Sequence, residues 1–156
     1  MNTICSFREE YRFLSNFYQR PFEYNGLVYP NAEAAFQAQK CSNDADRVKY
    51  TLQKNPVRVK QMGKKEPNLP TDWDSISYGI MNEILHAKFS MPELADKLKA
   101  TGDAYLEEGN HWHDNRWGKC TCEKCSTKEG QNWLGKILMR IRDELNAKTD
   151  GTEETL

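Results

Sequence analysis

The segment Pro30-Asn31-Ala32-Glu33-Ala34-Ala35-Phe36-Gln37-Ala38-Gln39-Lys40 constrains this chain more than any other. Its residues favour a helix, and Ala34, Ala35 and Ala38 let neighbouring elements approach closely. Asn31 is the expected N-cap, with Pro30 just outside the helix. Glu33, Phe36, Gln37 and Lys40 fall at i, i+3, i+4 and i+7, so they share one face. An acid, an amide and an amine aligned in this way can handle a sugar. They can equally form a solvated stripe with one ordinary salt bridge. The spacing leaves both readings open.

The rest of the chain reads as helices around a short hairpin. Phe22 to Tyr29 alternates about Asn25-Gly26, a strong hairpin signal, and a strand near Ile4 to Phe7 is expected to pair with it. A second helix is expected over Asp44 to Lys54. Asn55-Pro56 then supplies a cap and an N1 proline for a short third helix closed by Gly63. Trp73, Ile76, Ile80, Ile84 and Leu85 carry a helical period through Phe89, after a loop over Glu66 to Pro70. Pro92 to Ala100 is a further helix stopped at Gly102, and Tyr105-Leu106 a short strand. No period holds from His111 to Gln131, which reads as a long loop. Leu134, Ile137, Leu138, Ile141 and Leu145 define a final amphipathic helix. The expected fold class is α+β, mainly α-helical, a single domain over residues 1–148 with a small antiparallel β-sheet. A polar tail is expected over 149–156. The core is expected from the hairpin, the Trp73–Phe89 helix and the last helix.

Composition narrows the function. The 156 residues suit one compact core. Twenty-two Lys and Arg balance 23 Asp and Glu, which excludes a strongly basic, sequence-blind nucleic-acid binder but permits a local basic groove. No apolar run reaches membrane-spanning length, and the start carries no signal-peptide pattern, so no membrane partner is expected. Of five cysteines, three crowd at Cys120, Cys122 and Cys125, unlike a disulfide framework. The expected setting is reducing and cytoplasmic.

Five constellations can carry chemistry. Around the Ser15-Asn16 turn, Asn16 and the Phe17 or Tyr18 ring can wall a pocket that grips a base, or anchor a structural corner; Arg12 is a candidate phosphate contact. Lys40, if buried beside apolar or cationic groups, can hold a free amine able to attack a sugar C1′. Glu33 can then stabilise positive charge on the sugar or move protons. In the run Glu108 to Gly118, Asn110 is a ligand contact, Asp114 can accept ribose hydroxyls or act as a base, Trp112 or Trp117 can stack on a base, and Arg116 can bind phosphate. Cys120, Cys122 and Cys125 can supply three zinc ligands, with His111, His113 or Cys41 as a fourth. They can as well be a reduced loop, and no cofactor is assigned from the sequence. Gly130 and Asn132 mark a helix entry whose N–H groups suit a diphosphate, or simply a cap, and Gly135 permits close backbone approach.

In this order, the segments Phe13-Leu14-Ser15-Asn16-Phe17, Tyr29-Pro30-Asn31-Ala32-Glu33, Phe36-Gln37-Ala38-Gln39-Lys40, Met62-Gly63, Trp112–Gly118 and Gly130-Gln131-Asn132-Trp133-Leu134-Gly135 resemble the NADAR (YbiA-like) family from about Phe7 to Arg142. The resemblance implies a YbiA-like domain that hydrolyses N-glycosidic bonds. One branch of the family removes ADP-ribose from modified guanine in nucleic acid; another cleaves phosphoribosylated intermediates of riboflavin synthesis. It also implies catalytic roles for Glu33 and Lys40, the latter through a Schiff base, and for Asp114. The expected partner is therefore ADP-ribose, or ADP-ribosylated guanine in single-stranded nucleic acid, with the riboflavin intermediates or a non-catalytic ADP-ribose reader as alternatives. Some relatives carry Trp-Gly-Asp-Gly where this chain has Trp117-Gly118-Lys119-Cys120, a departure that counts against the riboflavin branch.

Overall fold

Local signals set most element boundaries. The computed structural model describes residues 2–149. In chain order the elements are β1 (Thr3–Ile4), a 3-10 helix (Glu9–Leu14), β2 (Phe22–Tyr24), β3 (Leu27–Tyr29), α1 (Ala32–Ala38), α2 (Asp44–Leu52), α3 (Pro56–Lys64), α4 (Trp73–Lys88), α5 (Pro92–Lys99), β4 (Tyr105–Leu106), β5 (Gly109–Asn110), β6 (Lys119–Cys120), a 3-10 turn (Glu123–Cys125) and α6 (Trp133–Thr149). The polar tail expected over 149–156 lies outside the described residues, apart from the Thr149 backbone that ends α6. The chain divides into two compact units. One is Asn16–Lys88; the other joins Met1–Ser15 to Phe89–Leu156.

In the first unit, Asn25 and Gly26 both take positive φ, at 51° and 88°, which a two-residue turn matching strand twist requires. The turn sets the antiparallel register Phe22↔Tyr29 and Tyr24↔Leu27, and Phe22, Tyr24 and Tyr29 are buried. The hairpin leads directly into α1. Asn31 caps it by accepting the Ala34 N–H at 2.8 Å. Asparagines do the same elsewhere: Asn43 caps α2 and Asn55 caps α3, where Pro56 opens the helix. Every residue of α1 is buried, because α2, α3, α4 and β3 all pack on it. Only a helix of small residues admits so many neighbours. Tyr50, Val59, Met81, Ile84 and Leu85 complete this core.

The second unit gathers Phe7, Phe13, Leu14, Phe89, Leu94, Leu98, Leu106, Leu134, Ile137, Leu138 and Ile141. Here α6 packs on α5 and β4, and the Glu9–Leu14 helix packs on α5. Two short parallel pairs join distant segments, β1 with β4 (Thr3↔Tyr105, Ile4↔Leu106) and β5 with β6 (Gly109↔Lys119, Asn110↔Cys120). The first corrects the expectation that the N-terminal strand joins the hairpin: β1 pairs with β4 instead, since the Asn2 and Ile4 carbonyls accept the Tyr105 and Glu107 N–H groups. The antiparallel hairpin is thus one of three two-stranded sheets among the described residues.

Two glycines show how closely these cores are packed. A Cβ on Gly135 in α6 would collide with the Leu106 carbonyl of β4 and the Asn132 amide. Gly79, on the exposed side of α4, has nothing near it. Gly135→Ala is expected to destabilise the protein by about 1–3 kcal/mol through overpacking. Gly79→Ala is expected to stabilise it by about 0.5–1 kcal/mol through helix propensity. Urea unfolding of the two single variants measures both signs.

Candidate functional site

The face of α1 that carries the acid, the amide and the amine is not a solvated stripe. Glu33 is 8 % exposed and Gln37 6 %. The Gln37 Nε2 donates to the Glu33 carboxylate at 2.6 Å, one helical turn away. A buried carboxylate needs such donors, because desolvation strongly disfavours an unpartnered charge. The backbone at Glu33 is fixed as well: its N–H donates to the Asn16 carbonyl at 3.0 Å, tying the Ser15-Asn16 turn to the start of the helix. Two side-chain oxygens beside this pair, Gln37 Oε1 and Asn16 Oδ1, are buried without a hydrogen-bond partner among the described residues. Natural interiors rarely leave such atoms unmatched, and Arg47 Nε and Asn82 Oδ1 are in the same position.

Lys40 sits two residues past the end of α1. The sequence predicts helix through Lys40, but α1 ends at Ala38. The chain then tightens into i→i+3 turns, with Gln39, Lys40 and Cys41 donating to Phe36, Gln37 and Ala38. The Gln39 side chain also caps the Ala35 carbonyl. The turn leaves Lys40 half-buried, its Nζ donating to the Gly63 carbonyl at 3.2 Å and lying 5.8 Å from the Trp73 ring centroid. Trp73 in turn packs on Phe36, with ring centroids 5.2 Å apart. Burial lowers the Lys40 pKa below the ordinary lysine value, helped by the Lys64 charge and opposed by Glu33 and Glu66. Desolvation is the largest influence, so the amine is easier to deprotonate than a surface lysine. Glu66 is engaged elsewhere, bonding Lys49 at 2.7 Å and the buried Tyr50 hydroxyl at 2.5 Å.

Gly63 does not close α3, which runs on to Lys64. A Cβ there would strike the Gln37 carboxamide. The missing side chain is what allows Gln37 to lie over α3 and reach Glu33.

Of the expected site residues, Asn16, Phe17, Glu33, Gln37 and Lys40 belong to the Asn16–Lys88 unit, and the Phe17 ring is exposed. Arg12, Ser15, Asn110, Trp112, Asp114, Arg116, Trp117, Gly130 and Asn132 belong to the other. There, several serve the loop itself. Buried Asn110 donates to Glu108 Oε1 and the Asp114 carbonyl, and accepts the Trp112 and Asp114 N–H groups. Asp114 Oδ1 accepts the Arg116 and Trp117 N–H groups at 3.1 and 2.9 Å, and the Arg116 guanidinium lies over the Trp133 ring. Asn132 accepts the Glu108 N–H and donates to the Leu106 carbonyl. At the 130–132 turn, where a diphosphate contact is expected, the Gln131 and Asn132 amides are engaged within the protein. The N–H groups of Gln131, Asn132, Trp133 and Leu134 donate to the carbonyls of Asn115, Gly118, Arg116 and Trp117. The Trp112 ring remains 44 % exposed.

Residues 5–146 match the NADAR domain. The chain belongs to the NADAR family. It is 32 % identical over 153 residues to the N-glycosidase YbiA of Shigella flexneri serotype 5b, covering 92 % of this chain and 89 % of that one. It is also 32 % identical over 139 residues to a riboflavin biosynthesis protein of Vibrio vulnificus, spanning 88 % of this chain but only 36 % of that longer protein. The NMR structure of the E. coli protein YbiA superposes with a TM-score of 0.79 at 31 % identity, over 96 % of this chain and 89 % of that one. The mainly helical NADAR fold expected from the sequence is therefore the fold observed. Among the described residues, no helix is long and apolar enough to cross a membrane.

Sequence reasoning missed Trp73 and Lys88 in this NADAR domain. Trp73 reads only as the start of a core helix, yet it covers Lys40. Lys88 is 1 % exposed, with its Nζ 5.7 Å from the Tyr18 ring centroid. The signal was present: Lys88 follows Met81, Ile84 and Leu85 at i+7, i+4 and i+3, on the apolar face of α4. Burial lowers its pKa from 10.5 to about 7. Below pH 7 both folded and unfolded chains hold the proton, and folding carries the full penalty of a buried charge. Between about 7 and 10.5 the folded state releases the proton first, so stability rises with pH. Relative to Lys88→Met, the wild type is expected to gain on the order of 1 kcal/mol per pH unit across that window. Denaturant unfolding at pH 6, 8 and 9.5 checks the slope, and equal slopes in both proteins would refute the assignment.

Proposed function

We propose that this chain is an N-glycosidase in which Lys40 and Glu33 act on the anomeric carbon of a bound ribose. The observation that carries this reading is the pair itself. A buried carboxylate on α1 is followed, seven residues on, by a half-buried amine whose pKa burial lowers. A module that merely held ADP-ribose would have no need of an amine whose pKa is lowered by burial. The N-glycosidase name of the Shigella flexneri relative supports the reaction class.

In the proposed reaction the neutral Lys40 amine attacks C1′. The C1′–N bond breaks, and its electron pair leaves with the base, which takes up a proton. Glu33 stabilises the positive charge that builds on the sugar as that bond lengthens. Loss of a proton from the amine and opening of the ring give an imine between Lys40 and C1′. Water then adds to C1′, releases the sugar and restores the amine. Gln37 holds the Glu33 carboxylate in place, and the unmatched Gln37 and Asn16 oxygens accept sugar hydroxyls.

The proposed substrate is ADP-ribose joined to guanine in single-stranded nucleic acid. A duplex would hide the linkage, so an unpaired or flipped base is required. The Trp117-Gly118-Lys119-Cys120 sequence favours this branch. A second reading, cleavage of a phosphoribosylated riboflavin intermediate, draws support from the likeness to the Vibrio vulnificus protein.

Turnover of an ADP-ribosylated oligonucleotide and of the phosphoribosylated pyrimidine, measured side by side, separates the two readings. Lys40→Ala and Glu33→Gln are each expected to lower kcat by about 10²-fold or more on the true substrate. Borohydride added during turnover is expected to leave a sugar adduct on Lys40. Because the amine must be deprotonated, kcat/KM is expected to rise with pH through an apparent pKa below 10.5. Full activity in Lys40→Ala would remove the imine mechanism.

A further inference from the structure

In the unit that holds α6, three cysteines and a histidine converge. The ligand atoms of His113, Cys120, Cys122 and Cys125 all lie within 4.8 Å of one another. His113 Nδ1 is 3.4 Å from Cys122 Sγ, 3.4 Å from Cys125 Sγ and 3.9 Å from Cys120 Sγ. Hydrogen bonding does not account for this. A single imidazole nitrogen offers one lone pair or one proton, so it satisfies one of three sulfurs. A tetrahedral zinc site with ordinary bond lengths places sulfur about 3.6 Å from nitrogen along each edge. The three observed separations bracket that value.

The surrounding chain is arranged for thiolates. The N–H groups of His113 and Cys122 donate to Cys120 Sγ at 3.3 and 3.5 Å. Cys120 and Cys125 are buried. His113 takes a positive φ of 69°, unusual for a residue with a side chain, in the turn that brings its ring to the sulfurs. Lys119 fastens the far side of the cluster by donating to the carbonyls of Cys125 and Lys128. The sequence supplies the donors as His113-x6-Cys120-x-Cys122-x2-Cys125.

We propose that His113, Cys120, Cys122 and Cys125 form a closed Cys3His site for one structural zinc ion. Zinc fits the donor set: soft thiolates with one imidazole in a tetrahedron select it over magnesium or calcium, which take oxygen. Four protein donors leave no open position for substrate, so the ion holds structure and performs no chemistry. It joins the segment carrying Trp112 and Asp114 to the β6–Cys125 turn. Of the two other candidate fourth ligands read from the sequence, Cys41 lies in the Asn16–Lys88 unit and His111 is not in the cluster.

Elemental analysis of protein purified without chelator and passed over a desalting column tests the site. About one zinc per chain is expected for the wild type, for Cys5→Ser and for Cys41→Ser. His113→Ala and Cys122→Ser are expected to fall well below that. X-ray absorption on the wild type, which does not depend on any variant folding, is expected to show three sulfur neighbours and one nitrogen. Cobalt substitution is expected to give thiolate charge-transfer bands with tetrahedral d–d absorption. Hydrogen exchange after zinc removal is expected to rise within residues 111–131 and not in α1. A wild-type protein that retains no zinc when offered an excess, or one whose metal has only oxygen and nitrogen neighbours, would overturn the proposal. Lys40→Ala and Glu33→Gln are expected to keep their zinc, so this result stands apart from the outcome of the glycosidase assays.

Discussion

The contact between the Gln37 amide and the Glu33 carboxylate governs the Asn16–Lys88 unit. A charged group inside a helix wrapped by three other helices and a strand persists only with a donor in reach. Meeting that demand dictates much around it. Apart from Phe36, alanines fill the rest of α1, and their small side chains let its neighbours approach closely. Position 63 lacks a side chain, because Gln37 occupies its space. The Asn16 carbonyl fixes the helix start from the hairpin side. Lys40, thrown past the helix end by a tight turn, finds the Gly63 carbonyl and the Trp73 ring, and loses part of its hydration. The result resembles an active site in its physics: polar groups held where solvent cannot relax around them, with some of their valences left open.

The other unit solves a different problem. Its long loop has little apolar content to bury, so polar side chains take over the work of a core. Asn110, Asp114 and Asn132 each hold two or more backbone groups of this stretch, and Asn132 also links β4 to the approach of α6. The convergence of His113 with three sulfurs adds a fourth tie to the same stretch. Small domains that run short of hydrophobic area commonly rely on such cross-links.

Much of this was legible in the residues. The Asn25-Gly26 turn, the caps at Asn31 and Asn55, Pro56 at the start of α3, the period of α4 and the tight approach at Gly135 follow from local rules, because each is decided by neighbours in sequence. The Glu33–Lys40 face was recognised, but its burial was not, since spacing places residues on a face without saying what covers it. Gly63 was misread as a helix stop because its purpose lies in a side chain 26 positions earlier. The pairing of β1 with β4 was missed for the same reason: two-residue strands carry no pattern, and only the distant partner defines them. At the 130–132 turn, amides that seemed open to a phosphate meet carbonyls of the preceding loop, which no local rule anticipates.

The division of the chain has a consequence for its synthesis. The Asn16–Lys88 segment is contiguous, so the ribosome delivers it whole, with every partner of α1 already made. The opposite holds for β1. Its partner β4 is translated a hundred residues later, so the first strand stays unpaired while an entire unit emerges behind it. Pairing of β1 with β4 therefore has to wait until the chain has been made past Leu106.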